Sequence, residues 1–391
     1  MQRLLVLFSM TLTLTAAAQQ CRTRPSWPTE TWPEALVNPT AKAAELKALE
    51  DYAFTLVGKP EDRDGYRTNG LVVVKNGAIV YEKYARGWDA SKPHLSWSVA
   101  KSFSSMLVGV AVHQGLVSLD DSLCKHLPAY ANYPNVCAVL VKHIITFGSG
   151  LQWQEEYEDQ GYQVSSVIAM LFGVGHKNQV KHVLSHRKLR EPGTQFVYST
   201  GDAHVVAAVA KSALTAKFGA DAFWGQLFDP IGMKSAVFEE DAAGNPLGGS
   251  FVYATPRDFA KFGYLMLNDG CWNDKRLLPV GWVQAATTPS DTFKANRGDC
   301  SGNKLPANEY QLPCEGTPSG YMWWLNRPPA DGKEKPWKDA PDDTYAALGH
   351  WGQRIIVIPS EDLVIVRVGD DRDGSIPVND LVKNVLGVVK P

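Results

Sequence analysis

Beyond its first two dozen positions, the 391-residue chain has no run approaching eighteen uninterrupted apolar residues, so a soluble mature protein is expected. It has no excess of charge of one sign. Lys and Arg number 39, Asp and Glu 41, for a formal net charge of −2. That balance gives no general affinity for nucleic acid or anionic membranes. There is no Cys-x-x-Cys pair, which argues against a zinc ribbon or a dithiol redox motif. There is no Gly-x-Ser-x-Gly either, which argues against the nucleophile elbow of an α/β-hydrolase; Gly148-Ser149-Gly150 lacks that spacing and reads as a turn. No internal repeat or low-complexity tract is present.

What is present begins with an export signal over residues 1–18. Arg3 supplies the positive start, Leu4 to Leu14 the apolar stretch, and Ala16-Ala17-Ala18 the small residues of a cleavage site. The protein is therefore expected in the periplasm or outside the cell. Cys21 lies close to that site, but Ala18-Gln19-Gln20 is not a lipobox, so no lipid anchor is expected. The six cysteines then favour disulfides over metal ligands. Two local pairs suggest themselves, Cys124–Cys137 and Cys300–Cys314, leaving Cys21–Cys271; six cysteines allow about fifteen connectivities. Twelve Trp and fourteen Tyr suit aromatic packing in a core, with a share left for a cleft.

Along the chain, residues 19–60 read as an arm carrying one helix from Ala41 to Leu56. Leu71–Val74 and Ala78–Tyr81 flank Asn76-Gly77, the signature of a tight hairpin. A helix is predicted over Ser98–Gln114, with Phe103, Met106, Leu107, Val110 and Ala111 on one face and Gly115 as its stop. Further helices are predicted over Ser165–Phe172, Ala203–Leu214, Asp258–Leu267 and Pro377–Val389. Strands are predicted over Arg354–Ile358 and Leu363–Val368. Strands at both ends with helices between predict an α+β protein. Residues 61–120 and 330–391 would form an antiparallel sheet domain flanked by helices, and 121–329 an inserted, mainly helical domain.

Three short segments could carry chemistry. Ser98-Val99-Ala100-Lys101 is a Ser-x-x-Lys motif, one of four in the chain beside Ser122/Lys125, Ser185/Lys188 and Ser301/Lys304. Only Ser98 opens a long helix. There, residues three apart share a face, so Lys101 can reach Ser98 and, if desolvated, take its proton. The blander reading of Ser98 is a helix N-cap. Tyr198-Ser199-Thr200 follows a Pro-Gly loop; a tyrosine beside an ammonium can handle protons, although an ordinary half-buried ring is the commoner case. Gly349-His350-Trp351-Gly352-Gln353 precedes a strand. Gly352 would let a substrate carbonyl approach, with the Gln353 and Ser98 N–H groups as an oxyanion hole and His350 as a further donor.

The order Ser-x-x-Lys, then Tyr-Ser-Thr about a hundred residues on, then His-Trp-Gly before a C-terminal strand pair resembles the serine β-lactamase and D-alanyl-D-alanine peptidase superfamily. Within it, the chain is most similar to the β-lactamase-related, class C-like hydrolases and esterases, a group that includes 6-aminohexanoate-dimer hydrolases. Ser96–Ser102, Gly148–Trp153, Tyr253–Asp258 and Gly352–Ile355 carry further likeness, and the similarity spans about Gly70 to Gly369. The resemblance implies a β-lactamase/transpeptidase-like fold and an acyl-enzyme on Ser98, with Lys101 and Tyr198 as proton carriers. It implies no cofactor and no metal, and a small ester, amide or peptide-like substrate. Thr200, Tyr157, His350, Gly352 and Gln353 are its candidate substrate-side positions.

Two departures bear on substrate. Class C β-lactamases carry Tyr-x-Asn where this chain has Tyr198-Ser199-Thr200, and Lys-Thr-Gly where it has His350-Trp351-Gly352. An unperturbed histidine is mostly neutral at pH 7 and holds a substrate carboxylate less well than lysine. Weak or absent β-lactamase activity is expected, and small esters or linear amides fit better. The alternatives are a peptidoglycan D-Ala-D-Ala carboxypeptidase or endopeptidase, and a catalytically silent binding protein on the same fold.

Overall fold

The computed structural model describes residues 21–59, 61, 63–157, 165–295, 317–328, 334–372 and 375–390. Cys300–Cys314 and Ser301/Lys304 lie outside the described residues, as does the segment assigned to the export signal.

The N-terminal hairpin forms where Asn76-Gly77 places it. β1 (Thr68–Lys75) and β2 (Ala78–Tyr84) are joined by Asn76 at φ 52° and Gly77 at φ 82°, the two positive angles that the tightest hairpin turns require. The C-terminal strands are β9 (Tyr345–Gly349), β10 (Gln353–Ile358) and β11 (Leu363–Gly369). β11 pairs antiparallel with β1, so both ends of the chain build one six-stranded sheet, ordered β2-β1-β11-β10-β9-β8, with β8 at Trp324–Leu325. Three small pieces complete the strands: β3 (His94–Leu95), β5 (Val252–Ala254) and β4 (Val237–Phe238) pair together, and β6 (Cys271–Trp272) pairs with β7 (Lys275–Arg276).

Both faces of the sheet are covered. Leu71, Val73, Ile356, Ile358, Leu363 and Ile365 pack under two terminal helices, α1 (Ala43–Phe54) and the last helix, Val378–Val389. Val72, Val74, Ile355, Val357, Val364 and Val366 face the interior helices. Alternate residues therefore serve two cores, which is why these strands read as unbroken apolar runs. The innermost helix is α2 (Val99–His113). Every residue from Val99 to Ala111 is buried, Lys101, Ser102, Ser104 and Ser105 included. The single apolar face expected from sequence is thus an incomplete description: α2 is enclosed on all sides. Two of its hydroxyls go to backbone carbonyls, Ser102 to Met322 and Ser104 to Gly248, both at 2.7 Å, while Ser105 Oγ is buried without a partner among the described residues.

The helices outside the sheet layers are α3 (Ser166–Leu171), α4 (Gln179–Leu184) and α5 (Thr200–Phe218), the last packed along α2. α6 (Pro256–Leu267) and then α7 (Val378–Val389) complete the longer elements. α6 lies on β1, β10 and β11 rather than with α5. The expected division at 121–329 therefore needs correction: β8 is a strand of the six-stranded sheet and α6 belongs to the sheet layers, with Gly263 set so close that a Cβ would lie 2.6 Å from Val364 Cγ1 and 2.9 Å from Ile355 Cγ2. The arm is tied down as well. Ala35 and Val37 donate to Ile79 and Val80 along the β2 edge, and Arg24 forks onto Asp362 at 2.5 and 2.7 Å. Cys21 is bonded to Cys271, and Cys124 to Cys137. Among the described residues no helix is long and apolar enough to cross a membrane.

The turn between β9 and β10 departs from expectation. Trp351 (φ 56°) and Gly352 (φ 85°) are both left-handed. A Cβ on Gly352 would lie 2.1 Å from Arg367 Nη1 and 2.3 Å from Asp371 Oδ2. Gly352 thus makes room for the fully buried Arg367–Asp371 pair. Gln353 turns its side chain the same way, donating to Gly369 O at 2.8 Å and accepting from Gly369 N at 3.0 Å.

Two outcomes follow. Gly352→Ala should lower unfolding stability by about 3 kcal/mol in a denaturant titration, since it strains the backbone and pries at a buried ion pair; a change within about 0.5 kcal/mol would contradict this packing. A peptide map of the unreduced protein should link Cys21 to Cys271 and Cys124 to Cys137, and a peptide joining Cys124 to Cys271 would contradict the geometry.

Candidate active site

The site is built where α2 begins. Ser96 is pinned by β5: its N–H donates to Val252 O at 2.8 Å, and its hydroxyl accepts from Val252 N at 3.2 Å. Trp97 then takes φ 47°, an uncommon angle for a bulky residue and a local strain that the surroundings must hold. The kink sets half-buried Ser98 at the N-cap position, but its side chain makes no capping bond. Instead Lys101 Nζ sits 2.8 Å from Ser98 Oγ. The other motif matches in the described chain do different work. Ser122 caps a short helix while Lys125 pairs with Asp121, and Ser185 donates to His182 O while Lys188 pairs with Glu191.

Lys101 is 2% exposed, and Nζ has two further acceptors, Thr200 Oγ1 and Gly249 O, each at 2.8 Å. The Gly249 carbonyl reaches it because that segment passes tightly between helices; a Cβ there would lie 2.6 Å from Thr200 Cγ2. Burial pulls the Lys101 ammonium down to about 8, while the charge of Glu155 acts to hold it up.

Tyr198 stands at the other side of Lys101, whose Nζ is 4.9 Å from the centre of its ring. The segment is fixed from both ends: Val197 N–H donates to Phe147 O at 2.8 Å, and Ser199 caps α5 by accepting from Asp202 N at 2.9 Å. Phe147 and Trp324 flank the ring with centroids at 5.0 and 5.6 Å. Ser98, Lys101 and Tyr198 are therefore brought together from three places in the chain.

The remaining expected positions divide. Tyr157 and His350 stack at 5.2 Å, and Trp97 meets both edge-on, with Trp351 beside them at 5.0 Å. These rings form one wall next to Ser98. Thr200 is fully buried, and its hydroxyl meets Lys101 Nζ at 2.8 Å. The Gln353 side chain and the Cβ side of Gly352 face Gly369 and the Arg367–Asp371 pair, as described, and the Gln353 N–H stands at the start of β10. The backbone that does approach the serine turn is one residue before His350, where a Cβ on Gly349 would lie 2.4 Å from Ser96 O.

Sequence reasoning missed Glu155. Its buried carboxylate accepts from Thr200 N at 2.8 Å, Trp153 Nε1 at 2.6 Å, the Thr200 hydroxyl, and Tyr157 OH at 3.4 Å. One acidic residue in Gln154-Glu155-Glu156-Tyr157-Glu158 carries no signal of its own. Asp202 and His204, also buried on α5, were missed as well. Burial pushes Asp202 up to about 7, with Glu155 adding, and pulls His204 down to about 3, with Lys101 adding. Burial and Glu155 also raise Tyr157 well above the ordinary tyrosine range. Among the described residues, no group of three or more His, Cys, Asp or Glu side chains could hold a metal ion.

A family model described as Beta-lactamase matches residues 56–375. The chain is 21% identical over 340 residues to the 6-aminohexanoate-dimer hydrolase of Paenarthrobacter ureafaciens, covering 85% of this chain and 80% of that one. Among solved structures, a penicillin-binding protein homologue from Caulobacter crescentus superposes with a TM-score of 0.62 at 13% identity, over 90% of this chain and 99% of that one. A family VIII carboxylesterase superposes with a TM-score of 0.60 at 14% identity, over 91% and 98%. These structural likenesses are of fold, the β-lactamase/transpeptidase-like α+β arrangement seen here. With a family model spanning most of its length, the chain belongs to the β-lactamase family of hydrolases.

Proposed function

We propose that the protein is an exported serine hydrolase that cleaves a small ester or linear amide through an acyl-enzyme on Ser98. The observation that carries the reading is the 2.8 Å contact between Ser98 Oγ and a lysine whose burial brings its pKa to about 8. A fraction of Lys101 is then a free amine near neutral pH, able to take the Ser98 proton as Oγ attacks a carbonyl carbon. Charge developing on the carbonyl oxygen meets the Ser98 N–H at the start of α2, with a second N–H from Gln353 at the start of β10. Tyr198, on the leaving-group side of Lys101, passes a proton to the departing alcohol or amine. Water then attacks the acyl-enzyme and gives up its proton to the same pair, which restores Ser98 and releases the acid.

The substrate side is aromatic. His350 takes the place of the lysine in a Lys-Thr-Gly motif, and it stands among the rings of Trp97, Tyr157 and Trp351. That supports an uncharged acyl group more than a carboxylate-bearing one, and so a small ester or linear amide over a D-Ala-D-Ala terminus. The relative named a 6-aminohexanoate-dimer hydrolase and the fold neighbour named a carboxylesterase agree with this preference. The two disulfides among the described residues fit an oxidising compartment, which supports export.

Intact-protein mass spectrometry after a fluorophosphonate probe should show one adduct on the wild type and none on Ser98→Ala. That variant should lose at least about 10³-fold in kcat/KM on p-nitrophenyl esters. An adduct that persists in Ser98→Ala would place the nucleophile elsewhere. The pH profile gives a second test. The working form of Lys101 is the neutral amine, so kcat/KM should rise with pH and reach half its plateau near pH 8, well below the value of about 10.4 for a solvated lysine. A limb centred near pH 10, or none between pH 6 and 9, would remove Lys101 as the base.

A further inference from the structure

Lys101 keeps its carboxylate at one remove. Its three acceptors are a serine hydroxyl, a threonine hydroxyl and a carbonyl, and the acidic group of the site, Glu155, is reached only through Thr200. This arrangement fixes proton positions. Glu155 has no proton to give when ionised, so the Thr200 hydroxyl must donate to it. The remaining lone pairs of Thr200 Oγ1 then face Lys101, which must donate to them. Gly249 O can only accept and takes a second N–H. With two N–H bonds spoken for, the third direction on Nζ points at Ser98 Oγ. In a free amine that direction is the lone pair, aimed at the proton to be removed. Glu155 is itself fixed by Trp153 Nε1 and Thr200 N, and Tyr157 OH reaches the same carboxylate.

We propose that Glu155 is a positioning residue for the reaction: by holding the Thr200 hydroxyl as an acceptor, it aims the Lys101 lone pair at Ser98. The proposal rests on the reading of Ser98 and Lys101 as nucleophile and base. The partners of Glu155 are Trp153, Tyr157 and Thr200, so it acts on Ser98 through Thr200 and Lys101. Its charge has a second effect of opposite sign, since it favours the ammonium over the amine. Removing the charge while keeping the shape should therefore slow turnover yet bring the base into play at lower pH. A purely structural residue predicts the first change without the second.

The test is the pH dependence of kcat and KM for an ester substrate with Glu155→Gln, Thr200→Val and Thr200→Ser, each first checked for a wild-type unfolding midpoint. Besides Glu155, the titratable groups around Lys101 and its carboxylate are Asp202 and His204 from α5, Tyr198 before it, and Tyr157. Asp202→Asn is included because Asp202 also titrates near neutral pH. For Glu155→Gln, the expected result is a limb displaced to lower pH by about one unit and a plateau kcat down about tenfold, with KM little changed. Thr200→Val should lose about tenfold in kcat, Thr200→Ser should restore it, and Asp202→Asn should leave the limb in place. Fluorophosphonate labelling of Ser98 in the same proteins separates the two failures. If the wild type does not label, the hydrolase reading itself fails. If it labels, a folded Glu155→Gln with an unmoved limb, a shift found in Asp202→Asn instead, or a Thr200→Val with wild-type kcat would overturn the role of Glu155. Should Glu155→Gln prove unfolded, the Val and Ser substitutions at Thr200 decide the matter alone.

Discussion

The site depends on burying one ammonium without handing it a carboxylate. The same protein solves the other version of this problem a short distance away. Arg367 is as deeply buried as Lys101, but Asp371 meets it directly at 2.6 and 2.8 Å, and Gly352 keeps the space clear. A directly paired cation stays charged and serves as structure. Lys101 receives only neutral oxygens in contact, and the cost of desolvation falls on the charged form, which brings it to about 8. The two cations thus differ in kind, since a guanidinium keeps its proton in proteins, and in contact, since only Arg367 has a carboxylate within hydrogen-bond distance.

Holding three neutral acceptors around one nitrogen requires backbone from distant parts of the chain, and this explains much of the architecture. Ser98 comes from the start of α2, Thr200 from the start of α5, and Gly249 from the strand-side segment before β5. α2 is enclosed on all sides where these converge, and of its buried hydroxyls Ser102 and Ser104 are satisfied by the carbonyls of Met322 and Gly248. The strained Trp97 belongs to the same constraint. It turns the chain sharply enough to leave Ser98 half-buried at the helix start, and its ring then props the wall of Tyr157, His350 and Trp351.

Sequence made the elements legible where one local rule decides them. Asn76-Gly77 dictates a hairpin, and the β-branched runs at 354–358 and 363–368 could be little but buried strands. The Ser-x-x-Lys spacing at the start of a long helix implied that Lys101 could reach Ser98, and the two meet at 2.8 Å, while the other described matches are occupied elsewhere. Legibility failed where a residue's meaning is set by a distant partner. Nothing near Gly352 in sequence tells that its Cβ side is filled by Arg367 and Asp371. Nor does Thr200 announce that its hydroxyl joins Lys101 to Glu155. Glu155, with acidic neighbours at 156 and 158, is singled out only by folding back onto Thr200, 45 positions on.

That last pairing follows from the departure at Tyr198-Ser199-Thr200. In the Tyr-x-Asn pattern of class C β-lactamases, the third side chain is an amide, which carries its acceptor and its donors at fixed places on a planar group. A hydroxyl has one proton and rotates freely, so alone it can present either a donor or an acceptor to the lysine. Facing an amine that must keep its lone pair for Ser98, a hydroxyl that donated would compete for that lone pair. A chain with threonine here therefore needs a stronger acceptor to draw the hydroxyl proton away. A buried carboxylate that already accepts from a backbone N–H and an indole N–H meets that need, and Glu155 occupies the place where it is required.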